Sequence, residues 1–79
     1  MKIQVTEDDI RNGTPRVGEA CPIYLALCRQ GIPARIVLNY YFYLEDTGDP
    51  VKLPPDAVDF ICLFDSGKSV KPFEFEIPD

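Results

Sequence analysis

Ala34-Arg35-Ile36-Val37-Leu38-Asn39-Tyr40-Tyr41-Phe42-Tyr43-Leu44-Glu45 is the stretch on which the reading of the fold turns. It is rich in β-branched and aromatic residues and holds neither glycine nor proline, which is the composition of a strand. Ile36, Leu38, Tyr40, Phe42 and Leu44 recur at period two, so a single extended strand would carry all five inward. Its other face carries Arg35, Val37, Asn39, Tyr41, Tyr43 and Glu45. A bulge near Asn39 would exchange the two faces beyond that point. Asp46-Thr47-Gly48-Asp49 follows as a turn cluster, and Val51-Lys52-Leu53 is expected to return as a short hairpin partner.

Toward the N-terminus, Ile3 and Val5 alternate with polar neighbours and read as a short first strand. Thr6 stands as a helix N-cap, with Asp9 three residues on in a capping-box relation and Glu7 and Asp8 at the positive end of the helix dipole. Gly13 ends that element, and residues 14–20, with Pro15 and Gly18, read as a loop. Pro22 fits the first turn of a second helix that Gly31 and Pro33 stop. Between them, Ile23-Tyr24-Leu25-Ala26-Leu27-Cys28 is apolar nearly all round. Such a helix is either buried on most sides or covered by a partner subunit, with Arg29 and Gln30 as its solvent residues.

Toward the C-terminus, Pro54-Pro55-Asp56 opens a third helix that runs to about Asp65, with Gly67 just past its end. Val58, Ile61, Cys62 and Asp65 form one stripe, which Phe60, Leu63 and Phe64 widen. The last strand, Val70 to Ile77, sets Phe73, Phe75 and Ile77 inward and Glu74 and Glu76 outward. These elements predict one α+β domain over residues 1–79. Its small, mostly antiparallel sheet of three or four strands carries two main helices and a short N-terminal helix on one face.

Seventy-nine residues suffice for one such domain, but the stability margin is thin unless disulfides, a metal or self-association add to it. At 46% hydrophobic residues the chain is too apolar to be disordered. Thirteen Asp and Glu against eight Lys and Arg give a net charge of -5. That sign disfavours direct binding to nucleic acid or an anionic membrane. It suits a protein that meets a basic surface, such as the nucleic-acid channel of another protein, but the acids are scattered and a domain that is merely soluble is the preferred reading of charge alone. No signal-peptide pattern follows Met1, and no apolar run nears the roughly 18 residues of a membrane span, so a cytoplasmic location is expected. Three cysteines, an odd number, then read as reduced thiols, and the Asn12-Gly13-Thr14 sequon has no role there.

The chain has no histidine, which removes Ser-His-Asp triads, Cys-His pairs, a histidine base and every His-containing metal site. Thiol, carboxylate, lysine and tyrosine chemistry remain, and none appears in a recognisable pattern. The chain is therefore expected not to be an enzyme and to need no cofactor or metal. Cys21, beside the start of the second helix, is either a thiol activated by the helix dipole or a small buried residue, and the second reading is preferred. Cys21, Cys28 and Cys62 lack the close pairing of zinc ligands. Ser66-Gly67-Lys68-Ser69 resembles the tail of a phosphate loop, but Cys62 stands where the first glycine is needed, so it reads as a turn. Asp56/Asp59 and Glu74/Glu76 read as helix-dipole complements and a solvated strand face rather than an acid–base pair.

The surface expected to meet a partner is the second face of the long strand with the turn after it: Val37, Tyr41, Tyr43, Glu45, Asp46 and Asp49. Tyrosine offers apolar area and a polar tip together, and the acids would meet basic residues. The alternative is a sheet covered on both faces by its own helices.

The run Val5-Thr6-Glu7-Asp8-Asp9-Ile10, then Gly13, Cys21-Pro22-Ile23 and Leu25-Ala26-Leu27, resembles a group of short uncharacterised proteins of bacteriophages and some bacteria. Leu53-Pro54, Phe64-Asp65 and Pro72-Phe73-Glu74-Phe75 are similar to the same group. The resemblance implies a compact phage accessory protein and assigns no functional residues. Two functions are therefore expected. The first is a non-enzymatic binding protein whose sharpest form is an anti-CRISPR-like inhibitor of a host nucleic-acid-binding defence factor. The second is a homo-oligomer that sequesters a small ligand such as a nucleotide, with Arg11, Arg16, Arg29 and Arg35 as the available cations.

Overall fold

The long central stretch is two strands rather than one. The computed structural model describes residues 1–37 and 40–77, and in it Ala34–Val37 and Tyr41–Leu44 are antiparallel neighbours. We number the strands β1 Lys2–Val5, β2 Ala34–Val37, β3 Tyr41–Leu44, β4 Pro50–Lys52 and β5 Phe73–Glu76. The helices are α1 Glu7–Asn12, α2 Pro22–Arg29 and α3 Pro55–Asp65.

The chain reverses between Val37 and Tyr41, and Val37 pairs with Phe42. Directly paired residues share a face of the sheet. Val37 and Phe42 are five positions apart, so one continuous strand would put them on opposite faces, whereas the hairpin puts them on the same one. Both are buried, Val37 at 4% exposure, while Tyr40 is 62% exposed. The expected inward place of Tyr40 and outward place of Val37 are thus both exchanged. The expected bulge near Asn39 falls outside the described residues. A register irregularity does occur between Ala34 and Ile36, where Arg35 is the extra residue opposite the Leu44–Tyr43 step. It lets Ala34 and Val37, three positions apart, both point into the core. The returning segment is as the sequence predicts: β4 pairs with β3, Phe42 opposite Val51.

The class is α+β, and the strands form two small antiparallel sheets instead of one: β2-β3-β4 and β1-β5. β1 and β5 place Ile3, Val5, Phe75 and, just beyond, Ile77 in the core. Glu74 and Glu76 stay exposed, as their alternation predicts. α2 packs against both β1 and β2 and so joins the sheets. Its buried residues are Pro22, Ile23, Ala26 and Leu27. Tyr24 and Leu25 are half-buried and Cys28 is exposed, so the helix is one-sided rather than apolar all round. α3 buries Ala57, Phe60, Ile61 and Phe64, the i, i+3, i+4, i+7 set of one helical face. The stripe is rotated from the expected one, leaving Cys62 and Leu63 exposed. Phe60 stacks on Phe73 at 4.7 Å between ring centroids and so ties α3 to β5.

The helix ends follow from local chemistry. The backbone N–H of Asp9 donates to the Thr6 hydroxyl and that of Thr6 to the Asp9 carboxylate, completing the capping box. After α2 and α3, Gly31 and Gly67 take positive φ, and the next residue's N–H reaches back to Leu27 and Leu63 respectively. This is the Schellman stop that favours glycine, so Ser66-Gly67-Lys68 is a helix cap. Gly13 is needed for a different reason: a Cβ there would lie 2.7 Å from the Pro22 ring.

Candidate binding surface

The outer face of β2-β3-β4 is built by the same pairing that buries Val37. With Phe42 inward, Tyr41 and Tyr43 point the other way. Their rings meet edge to face, 6.0 Å apart and inclined at 74°, a favourable arrangement for the ring quadrupoles. Across from them on β4 stand Lys52, opposite Tyr41, and Pro50, opposite Tyr43. Tyr41 is 40% exposed and Tyr43 half-buried.

Glu45, Asp46 and Asp49 follow in the β3–β4 turn, all exposed. The turn is closed by backbone bonds from Gly48 to Leu44 and from Leu44 to Asp49, and the Asp49 N–H donates to the Thr47 hydroxyl. Glu45 is held at its backbone by the carbonyl of Pro33. Five of the six residues expected at the partner surface therefore lie together on one outer face and its turn. Val37 is excluded because it is a core residue.

The structure adds residues that the linear reading could not place there. Glu19, Arg35, Tyr43 and Gly48 line one shallow depression. The Tyr24 phenol has its pKa raised by its hydrogen-bonding interaction with Cys28, then by the Cys28 charge, burial, and the carboxylates of Glu19 and Glu45. Glu19 in the 14–20 loop and Tyr24 on α2 thus extend the acidic, tyrosine-bearing region. The packing of α2 on β2 and the bond from the Val37 N–H to the Gly18 carbonyl bring them there, and no sequence spacing signals it.

The four arginines considered for an anionic ligand are spread over the molecule. Arg29 donates to the Asp9 carboxylate at 3.0 Å and to the Gln4 carbonyl at 2.7 Å. Arg11 pairs with Asp8, Arg16 borders a pocket beside Cys21, and Arg35 lies in the Tyr43 depression. They do not converge on one site.

Cys21 is the small buried residue of the two readings. Burial is the largest influence and pushes its thiol pKa up, against the backbone N–H groups of Ile23 and Tyr24. Cys28 and Cys62 lie exposed on separate helices, and among the described residues no three ligating side chains are grouped as a metal would need. No helix among the described residues is long and apolar enough to cross a membrane. Compared with protein-family models, with curated proteins and with solved structures, the chain matches none.

Proposed function

We propose that this chain is a non-enzymatic binding protein that docks on a basic surface of another protein through the outer face of β2-β3-β4. The observation that carries the reading is the Tyr41–Tyr43 ring pair beside Glu45, Asp46 and Asp49 in one ordered turn. Rigid tyrosines supply contact area at small entropic cost, and the acids steer and orient a basic partner. The net charge of -5 acts in the same direction. The partner class that best fits is a nucleic-acid-binding host factor, because its channel is lined with Lys and Arg. An acidic occupant of that channel excludes nucleic acid, so docking amounts to inhibition.

The test is affinity capture by the tagged chain from lysates of several bacterial hosts, at low and high salt. It is run alongside a triple variant, Glu45→Lys, Asp46→Lys and Asp49→Lys. The expected result is one stoichiometric partner, released by salt and by competing nucleic acid, with the variant bound more than about a hundredfold more weakly. A partner retained equally by the folded variant contradicts the reading.

A further inference from the structure

We propose a second docking surface, the outer edge of β5, which accepts an extended, basic segment of another protein as an added strand. This edge is separate from the tyrosine face, and the hydrogen-bond parity of β1-β5 sets which of its backbone groups face outward. Met1 and Ile77 exchange backbone bonds, the Ile77 N–H donating to the Met1 carbonyl and the Met1 amino group to the Ile77 carbonyl. In an antiparallel ladder such pairs alternate. Ile3–Phe75 and Val5–Phe73 are therefore the bonded pairs, and the backbone groups of Lys2, Gln4, Glu74 and Glu76 point away from the shared seam.

On β1 three of the four outward groups are bonded. The Gln30 side chain accepts from the Gln4 N–H at 2.7 Å and donates to the Lys2 carbonyl at 3.1 Å, while Arg29 takes the Gln4 carbonyl. The other sheet is protected too. On β2 the Val37 N–H donates to the Gly18 carbonyl, and β4 is three residues long with a proline that has no N–H. β5 alone has neither device: among the described residues no group bonds the outward N–H and C=O of Glu74 and Glu76.

Beside this edge run two open depressions that include β5 residues and none of β1, joined at Asp59. One holds Tyr40, Val58 and Glu76, with mainly apolar walls; the other holds Leu63 and Phe73. An edge strand flanked by a helix and an apolar trough is the arrangement that takes up peptides by strand addition. The charge pattern selects the occupant. Asp56, Asp59, Glu74 and Glu76 border the edge against Lys52 and Lys71. A second copy added antiparallel about Phe75 would set Glu74 directly against Glu76 of its neighbour, and like charges so placed are destabilising. A strand with Lys or Arg at alternate positions meets the same acids favourably, in competition with two exposed pairs, Glu74 with Lys2 and Glu76 with the Met1 amino group, each 3.7 Å apart.

The test uses a synthetic peptide alternating Lys with Val, and a control with Glu in place of Lys, titrated to about millimolar against the full chain. Amide exchange and backbone chemical shifts are read by NMR. The Lys peptide is expected to protect the Glu74 and Glu76 amides and to leave those of Tyr41 and Tyr43 unchanged. Affinity should fall about tenfold in a Glu74→Gln, Glu76→Gln variant. It should be lost in Glu76→Pro, which removes an outward donor from a fold verified by its far-UV spectrum. No protection at Glu74 and Glu76, equal binding of the Glu peptide, or protection confined to the tyrosine face would each overturn the proposal.

Discussion

At the scale of single residues, Asp9 carries more than its place in a polar helix start suggests. It is 5% exposed, closes the Thr6 capping box and binds Arg29, which also holds the Gln4 carbonyl of β1. Burial by itself raises the Asp9 pKa, but the hydrogen bonds from Arg29 and Thr6 and the Arg29 charge outweigh it and hold the carboxyl below its ordinary value. The folded-state pKa is depressed, so the unfolded chain binds more protons over the affected range. This stabilisation is therefore complete above the unfolded carboxylate pKa of about 4 and is lost as pH falls through the lower folded value. Urea unfolding should show wild-type stability dropping below about pH 4, and a shallower drop in Asp9→Asn, which should itself cost about 1–3 kcal/mol at pH 7. Equal acid slopes in the two proteins would contradict this account. The capping box was legible because it lies within four residues of chain. The Arg29 partnership was not, since it joins the end of α2 to α1 and β1 across the fold.

At the scale of elements, the central hairpin shows where periodicity misleads. Residues 34–45 alternate so well that they read as one strand, and only Asn39 among them is a customary turn former. Reversal restarts the alternation, and the Arg35 bulge shifts it once more. An error of one position in such a strand exchanges every side chain between core and solvent. The two assignments make opposite predictions for a pair of substitutions. Val37→Asp should cost roughly 3–5 kcal/mol by burying an unpaired charge, enough to unfold a domain of this size, while Tyr40→Asp should stay within about 0.5 kcal/mol. Thermal melts of the two variants distinguish them, and the reverse order would restore the single strand. β5 was legible from its strict Phe–Glu alternation, and β4 from the turn before it. The α3 stripe was legible in composition but rotated, because Phe60 stacks on Phe73 and Phe64 on Phe60, which turns that side of the helix inward.

At the scale of the whole molecule, seventeen buried apolar residues among those described form one core shared by both sheets, α2 and α3, with Ile10 of α1 packed against it, and α2 joins the sheets. Edge protection divides the surface. Gln30 and Arg29 bond the outer edge of β1, the Gly18 carbonyl bonds β2, β4 is short and carries Pro50, and among the described residues nothing bonds the outer edge of β5. Composition gave the acidic balance but not its distribution. The tyrosine face draws acids from the β3–β4 turn and from the 14–20 loop, which only the three-dimensional packing unites. The most direct test of that face as the binding surface is amide hydrogen exchange on the chain, free and in complex with its captured partner. Protection on binding is expected to centre on Tyr41, Tyr43 and the Glu45–Asp49 turn. Protection that leaves these residues unchanged and falls elsewhere on the molecule would contradict it.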